Sequence, residues 1–145
     1  MLEKDKKCIG IVFGGDSNEH YVSVSSAKTV YKALVSKTNL ERFRVKAFYV
    51  SRNGVWFDNN KSLEILSEDN LDYITNKYQF FPTDKINFLD KIETKDVDIW
   101  FPLLHGANGE DGAIHGLLKF TQKPFVGSGI LGSALGMDKI IMKKI

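Results

Sequence analysis

The sequence predicts an α/β fold: a mostly parallel sheet flanked by helices, with a hairpin near residues 44–57. Two observations carry this prediction. Short apolar runs at Cys8–Phe13, Val97–Phe101 and Pro124–Gly127 each lead into a polar, glycine-containing loop and then a helical pattern. The first two runs are almost continuously apolar, as strands buried on both faces are. Three strand–loop–helix units within 145 residues are the pattern of a parallel sheet whose crossover helices cover it.

Taken in order, "CIGIVF" stops at Gly14-Gly15, and Ala27, Val30, Tyr31 and Leu34 then recur at the spacing of one helix face. In "RFRVKAFYVSRNGVWFD" the residues alternate, with Val45, Ala47 and Tyr49 to one side and Lys46 and Phe48 to the other. Asn53-Gly54 is the dipeptide a type I′ hairpin turn prefers, which makes Val55–Phe57 the expected return strand. Residues 58–95 are the least regular. There "LEILSEDNLDYI" reads as helix, "KYQFFP" as a short strand ending at Pro82, and "TDKINFLDKIETKD" as weakly helical; no chemistry is assigned to them. After "VDIWF" come loop 103–110, a helix from about 111 to 122, the short strand "PFVG", a turn, and a helix over 131–145. That last pattern carries no C-capping signal, so we expect a longer parent chain.

Composition removes several classes of function. With 20 Lys+Arg against 18 Asp+Glu the net charge is +2, too balanced for a nucleic-acid or polybasic membrane surface. The one cysteine, Cys8, sits at the edge of an apolar run and is expected to be a core thiol; it fits a reducing, cytoplasmic setting. The apolar run after the basic start ends at Gly14 without a small-residue cleavage site, so it reads as a strand and not as a leader. No stretch approaches the ~20 apolar residues that cross a bilayer.

In an open α/β sheet, ligands bind beyond the carboxyl ends of the strands. Loops 14–20 ("GGDSNEH"), 105–112 ("HGANGEDG") and 127–129 ("GSG") each follow a strand, and should therefore open on one edge. The first is neither G-x-G-x-x-G nor a P-loop. It either offers N–H groups to an anion or makes a turn capped by Ser17. Glu19 answers the helix dipole or holds an ammonium, and the pattern leaves both open. His20 is expected at the surface or as a cap. In the second loop, His105-x4-Glu110 matches no closed zinc pattern and has no cysteine partner, so no metal site is expected. Glu110 and His105 suit acid–base work. Gly112 and Gly116 are expected to let the helix approach the sheet, with Asp111 as cap. Packing leaves His105 and Glu110 unexplained.

At this point the residues resemble a family. "FGGDSNEHYVSVSSA" (13–27), "HGANGEDGAIHG" (105–116) and "PFVGSGILGSALGMDK" (124–139) are similar, in the same order, to three signatures of the D-alanine–D-alanine ligases. The resemblance implies a Rossmann-like, pre-ATP-grasp domain at 1–128 and the start of a central ATP-grasp domain at 129–145. It implies an ATP- and Mg²⁺-dependent ligase that joins two D-alanines through a D-alanyl phosphate for peptidoglycan precursor synthesis. By the same resemblance Glu19 receives the ammonium of the first D-alanine and is the catalytic candidate. Val22 and Ser23 line or support that pocket, His105 lies beside it, Glu110 supports His105, and Lys139 reaches the ATP phosphates. Most of the ATP and Mg²⁺ contacts belong to a part of the family's chain beyond these residues, so this piece alone is expected to be inactive. A cytoplasmic homodimer is implied by the family and not by any apolar stripe here. His115 departs from the second signature and is expected to pack. Ligases that make D-alanine–D-serine or D-alanine–D-lactate share the signatures, and a stand-alone α/β binding module is the alternative from another class.

Overall fold

A computed structural model of the chain describes residues 6–78 and 94–145. Strand β1 (Lys7–Gly14) lies between β2 (Phe43–Val50) and β3 (Ile99–Pro102), all parallel, in the order β2-β1-β3. In register, Ile11 stands opposite Ala47 on one side and Phe101 on the other. The apolar run read from the sequence has its physical cause here: β1 is hydrogen-bonded on both edges and covered on both faces, and every residue from Cys8 onward is buried. Helix α1 (His20–Leu34) makes the first crossover. It is followed by α2 (Lys37–Leu40), α3 (Asn59–Ser67), α4 (Leu71–Tyr78) and a 3₁₀ turn (Thr94–Asp96). Beyond β3 come α5 (Ala113–Lys119), α6 (Gly129–Met137) and α7 (Lys139–Met142).

The two faces of the sheet carry separate cores. Ile9, Ile11 and Phe13 pack under α1 and α3, against Val24, Ala27, Ile65 and Leu66. On the other face Val12, Phe48, Val50 and Trp100 pack against Ile114 and Leu118 of α5. Side chains this large contribute about 1.5–3 kcal/mol each when fully buried. The alternation of β2 holds, with Ala47 and Tyr49 facing α1 and α3 while Phe48 and Val50 face α5. The outer edge of β2 is closed by side chains of α3: Ala47 N–H donates to Asn59 Oδ1 (2.9 Å) and Tyr49 N–H to Ser62 Oγ (2.8 Å). Edge donors satisfied in this way offer no template for another strand.

The expected hairpin is present in short form: Phe57 N–H donates to Tyr49 O and Ser51 N–H to Val55 O, both at 2.9 Å. Val50 and Trp56 form its single antiparallel bridge, in place of a full return strand. Among the described residues, only Asn108 and Gln122 are non-glycines with positive φ, so Asn53 does not adopt the type I′ geometry. The turn is closed instead by Gly54 N–H donating to Ser51 O (3.0 Å), with Gly54 at φ 80°. "PFVG" likewise reduces to one parallel bridge, Phe125 to Trp100. The helix expected over 111–122 is α5, shorter at both ends, and the one expected over 131–145 breaks at Asp138. There an extended backbone (φ −87°, ψ 95°) lets the carboxylate cap α7 through the N–H groups of Ile140 and Ile141. Gly116 proves open, with nothing within 4 Å of a Cβ built there; at Gly112 such a Cβ would lie 2.7 Å from Ile130 O, so that glycine admits α6 and not the sheet. "KYQFFP" contributes Lys77 and Tyr78 to α4; the rest of it, and most of "TDKINFLDKIETKD", lie outside the described residues.

Candidate functional site

The chain leaves β1 for one neighbour and reaches β3 on the other side, so a crevice opens where the carboxyl ends of β1 and β3 diverge. Loops 14–20 and 105–112 meet there. Ser17 Oγ–H donates to His105 O at 2.6 Å, and the same oxygen accepts Glu19 N–H at 3.1 Å. Asn108 Nδ2 donates to both carboxylate oxygens of Asp16, at 3.1 and 3.2 Å. Gly106 passes so close above Ser17 (φ 72°) that a Cβ would sit 3.2 Å from Ser17 Cβ and 3.6 Å from Glu19 Oε1. Bare backbone is required at that crossing. Loop 127–129 joins from the far side: Gly127 and Ser128 line an open cleft of about 460 Å³ together with Leu103, His105, Glu110 and His115. Loop 105–112 thus meets each of the other two, while the cleft lined by Gly127 and Ser128 includes no residue of loop 14–20.

Glu19, His105 and Glu110 offer ligand atoms that all lie within 4.8 Å of one another. Glu19 is the N-cap residue of α1 and exposed; its side chain caps nothing, and its carboxylate has no hydrogen-bond partner among the described residues. His105 is held at both ring nitrogens. Its Nδ1 lies 3.3 Å from Glu110 Oε1, and its Nε2 lies 3.1 Å from Ser26 Oγ. A carboxylate only accepts, so the neutral imidazole carries its proton on Nδ1 and takes the Ser26 hydroxyl at Nε2. The other oxygen of Glu110 accepts Gly106 N–H at 3.1 Å. One acid is thus tied down as a support; the other, Glu19, is exposed beside the pair and, like Val22, is not among the residues lining the cleft of about 460 Å³.

The remaining expected residues fall into place unevenly. Ser23 is fully buried; its Oγ accepts Gly14 N–H (2.8 Å) and donates to Leu103 O (2.6 Å), so it ties the ends of β1 and β3 and does not face the cleft. Val22 is 51% exposed on α1 and is not among the residues lining the cleft beside His105. Lys139 is exposed at the start of α7. It is not brought to Glu19, His105 or Glu110 in the described contacts. His20, expected outside, is fully buried: its Nδ1 lies 2.6 Å from Gly15 O and its Nε2 3.1 Å from Tyr49 OH. Burial pushes its imidazole below the ordinary histidine value, against the Gly15 carbonyl, which favours the charged form. His115 is buried, stacked on Phe125 (centroids 4.9 Å apart, 24° between planes), with Nδ1 3.3 Å from Ser133 Oγ, and it also lines the cleft. Burial lowers its pKa too, partly opposed by Asp111.

Sequence reading missed Arg52 and Ser26. Arg52 Nη1 donates to Ser17 O (3.1 Å) while its guanidinium lies over the Tyr21 ring (5.3 Å), so the loop after β2 steadies the loop after β1. Nothing local marks Arg52, because its partners are set by the parallel pairing. Ser26 lies two turns into α1, and only the helical period places it on the same face as Ser23.

A parallel three-stranded sheet with a polar crevice at its carboxyl edge is the arrangement of α/β ligand-binding folds. The profile of the family described as "D-ala D-ala ligase N-terminus" matches residues 8–128, and the chain belongs to that family. It is 71% identical over all 145 residues to the D-alanine–D-alanine ligase of Prochlorococcus marinus subsp. pastoris strain MED4, and 50% identical over 141 residues to that of strain NATL1A. These alignments cover 100% and 97% of this chain but 41% and 39% of the relatives, so the chain spans about two fifths of their length. Among solved structures it resembles the D-alanine–D-alanine ligase of Coxiella burnetii (TM-score 0.73, 27% identity, 97% of this chain and 40% of that one). It also resembles the VanG D-Ala:D-Ser ligase of Enterococcus faecalis (TM-score 0.66, 28% identity, 96% and 40%).

Proposed function

We propose that this chain forms the first-substrate side of an ATP-dependent D-alanine–D-alanine ligase acting in peptidoglycan precursor synthesis. The observation that carries the reading is Glu19, an unpaired carboxylate at a helix start, facing His105 and Glu110 across the β1–β3 crevice. An ammonium donates hydrogen bonds in several directions and matches this acid-rich opening, where a charge-assisted bond is worth about 1.5–3 kcal/mol. In this reading D-alanine sets its ammonium against Glu19, and the paired His105–Glu110 forms the opposite wall. ATP would transfer its γ-phosphoryl group to the D-alanine carboxylate, releasing ADP; the amine of a second D-alanine would then attack the acyl carbon and expel phosphate.

Nucleotide chemistry has a limited footing in these residues. The exposed Lys139 would meet a phosphate as a point charge. The adjacent acid, Asp138, is engaged in capping α7 and has no described ligand group beside it; the described group of possible metal ligands is Glu19, His105 and Glu110. We therefore expect no turnover from this chain by itself, and we place residues 129–145 with the nucleotide-binding part of the ligase. What supports that boundary is the family match, which stops at residue 128. Val22 and Ser23 are proposed to support the first-substrate pocket from α1. A cytoplasmic homodimer is the assembly proposed with it. In keeping with composition, no nucleic acid or membrane partner is proposed; among the described residues no helix is long and apolar enough to cross a membrane.

The test has two arms. NMR titration of the chain with D-alanine should perturb the amides of Glu19, Gly106 and Glu110, and Glu19→Gln should weaken binding about tenfold or more. In a chimera carrying this chain in place of its 145-residue counterpart in the 71%-identical relative, the same substitution should raise the first D-alanine KM. Wild-type D-alanine kinetics in the Glu19→Gln chimera would refute the assignment. Release of phosphate with D-serine in preference to D-alanine would favour the D-Ala:D-Ser activity named for VanG.

A further inference from the structure

The Glu19 carboxylate has no restraint of its own, yet a carboxylate that receives a substrate ammonium must stand in one place to be useful. What holds it is beneath it. Gly15 starts the loop, with its N–H donated to Val50 O (2.8 Å), and His20 ends it, with its N–H donated to Ser17 O (3.2 Å). The His20 ring then turns inward, and its Nδ1 returns to Gly15 O at 2.6 Å, closing the loop upon itself. A carbonyl only accepts, so Nδ1 carries the proton and the Nε2 lone pair accepts Tyr49 O–H at 3.1 Å. Tyr49 and Tyr21 stand edge-on to the ring, at 5.6 and 5.9 Å.

We propose that His20 is a positioning residue for the candidate site: its buried ring, strung between Gly15 and Tyr49, clamps loop 15–20 and fixes where Glu19 stands. The inference rests on the reading that Glu19 receives the substrate ammonium. Burying an imidazole is costly unless both nitrogens are satisfied, and a fully satisfied buried network is rigid. An apolar ring could fill the same volume; it could not bind the carbonyl that opens the loop. The clamp also joins three elements, since Gly15 follows β1, His20 begins α1 and Tyr49 lies on β2. Ser17, in the middle of the loop, is held from above by His105 O and Arg52. Glu19 is thus presented between an upper tie and a lower one.

Three variants of the chain separate the clamp from simple core filling. In His20→Asn the amide nitrogen can stand where Nδ1 stood and keep the Gly15 bond; His20→Gln places its amide nearer Nε2 and loses it; Tyr49→Phe removes only the far anchor. The readouts are amide hydrogen exchange at Glu19 and residue 20 relative to Ile11 and Val12 of β1, and D-alanine affinity by NMR titration. A role confined to stability would speed loop and β1 exchange together. We expect His20→Gln to raise loop exchange about tenfold over β1 and to weaken D-alanine by a similar factor, with His20→Asn within about threefold of wild type. Tyr49→Phe should raise the ratio about threefold, and it carries the test if His20→Gln does not fold. An unchanged loop-to-β1 ratio in His20→Gln or Tyr49→Phe overturns the clamp, as does a loosened loop with unchanged D-alanine affinity. If the wild-type chain binds no D-alanine, the Glu19 reading fails, and the exchange ratio alone decides for or against the clamp.

Discussion

Ser17 and His105 meet across the crevice, the serine hydroxyl donating to the histidine carbonyl at 2.6 Å, so the loop after β1 and the loop after β3 are one unit. The same hydroxyl accepts Glu19 N–H. Ser17→Ala removes both bonds and leaves the His105 carbonyl and the Glu19 amide to water. We expect a loss of about 1–2 kcal/mol in urea unfolding. D-alanine affinity should fall further than that of a control such as Ser67→Ala at the exposed end of α3. Equal affinities in the two variants would separate this contact from the site.

Glu110 has one oxygen on Gly106 N–H and the other beside His105 Nδ1. A glutamine there can accept only through its carbonyl oxygen, and its NH₂ then faces a donor. Glu110→Gln should therefore shift the His105 tautomer toward Nε2–H, visible in the ¹⁵N shifts of the ring. It should weaken D-alanine less than Glu19→Gln does. A His105 spectrum unaltered by the substitution would show that Glu110 does not set the tautomer.

The two buried histidines make stability depend on pH in a defined direction. Burial holds both His20 and His115 below their ordinary value near 6.5, so in the folded state they stay neutral where the unfolded chain protonates. The unfolded state then binds more protons, and stability rises with pH. Their contribution is fully present above pH ~6.5 and is lost as pH falls through that value toward the depressed folded pKa values. Urea midpoints should drop between pH 7.5 and 5.5, and His115→Gln should flatten part of that slope. A midpoint independent of pH over this window would contradict the burial of these rings.

Gly10 lies in the middle of β1 beneath Trp100. A Cβ there would sit 2.7 Å from the indole and 2.9 Å from Val97 Cγ1. Neither neighbour has room to retreat, because both are fully buried. Gly10→Ala should cost about 1–3 kcal/mol through overpacking, measured as a lower thermal midpoint. Adding Trp100→Phe should recover part of it. A lone Gly10→Ala variant as stable as wild type would show slack in this core.

What the sequence made legible was set by local periodicity. β1, β3 and α1 follow from apolar runs and one helical stripe, and the meeting of the loops follows from parallel topology. Glu19, His105 and Glu110 stood out because no packing role accounted for them. The errors share a cause: each depended on a tertiary contact that no local period records. His20 is buried because Gly15 O accepts from its Nδ1 and Tyr49 O–H donates to its Nε2. The segment after Asn53-Gly54 returns for only one bridge, Trp56 to Val50, and α3 takes the N–H groups of Ala47 and Tyr49 beyond it. Gly112 meets α6, whose position no pattern within residues 105–116 records. Ser23 and Val22, paired by the resemblance, are consecutive helix positions about 100° apart, so one is buried at the strand ends and the other is exposed.

The order β2-β1-β3 has a kinetic side. Ser17 and His105 are 88 residues apart, and their contact forms only after β3 has found β1 across the whole intervening chain. Such distant closure comes late in folding and slows it. The crevice therefore exists only once β3 has paired with β1. Any ligand that seats there selects the completed sheet and draws the folding equilibrium toward it by mass action.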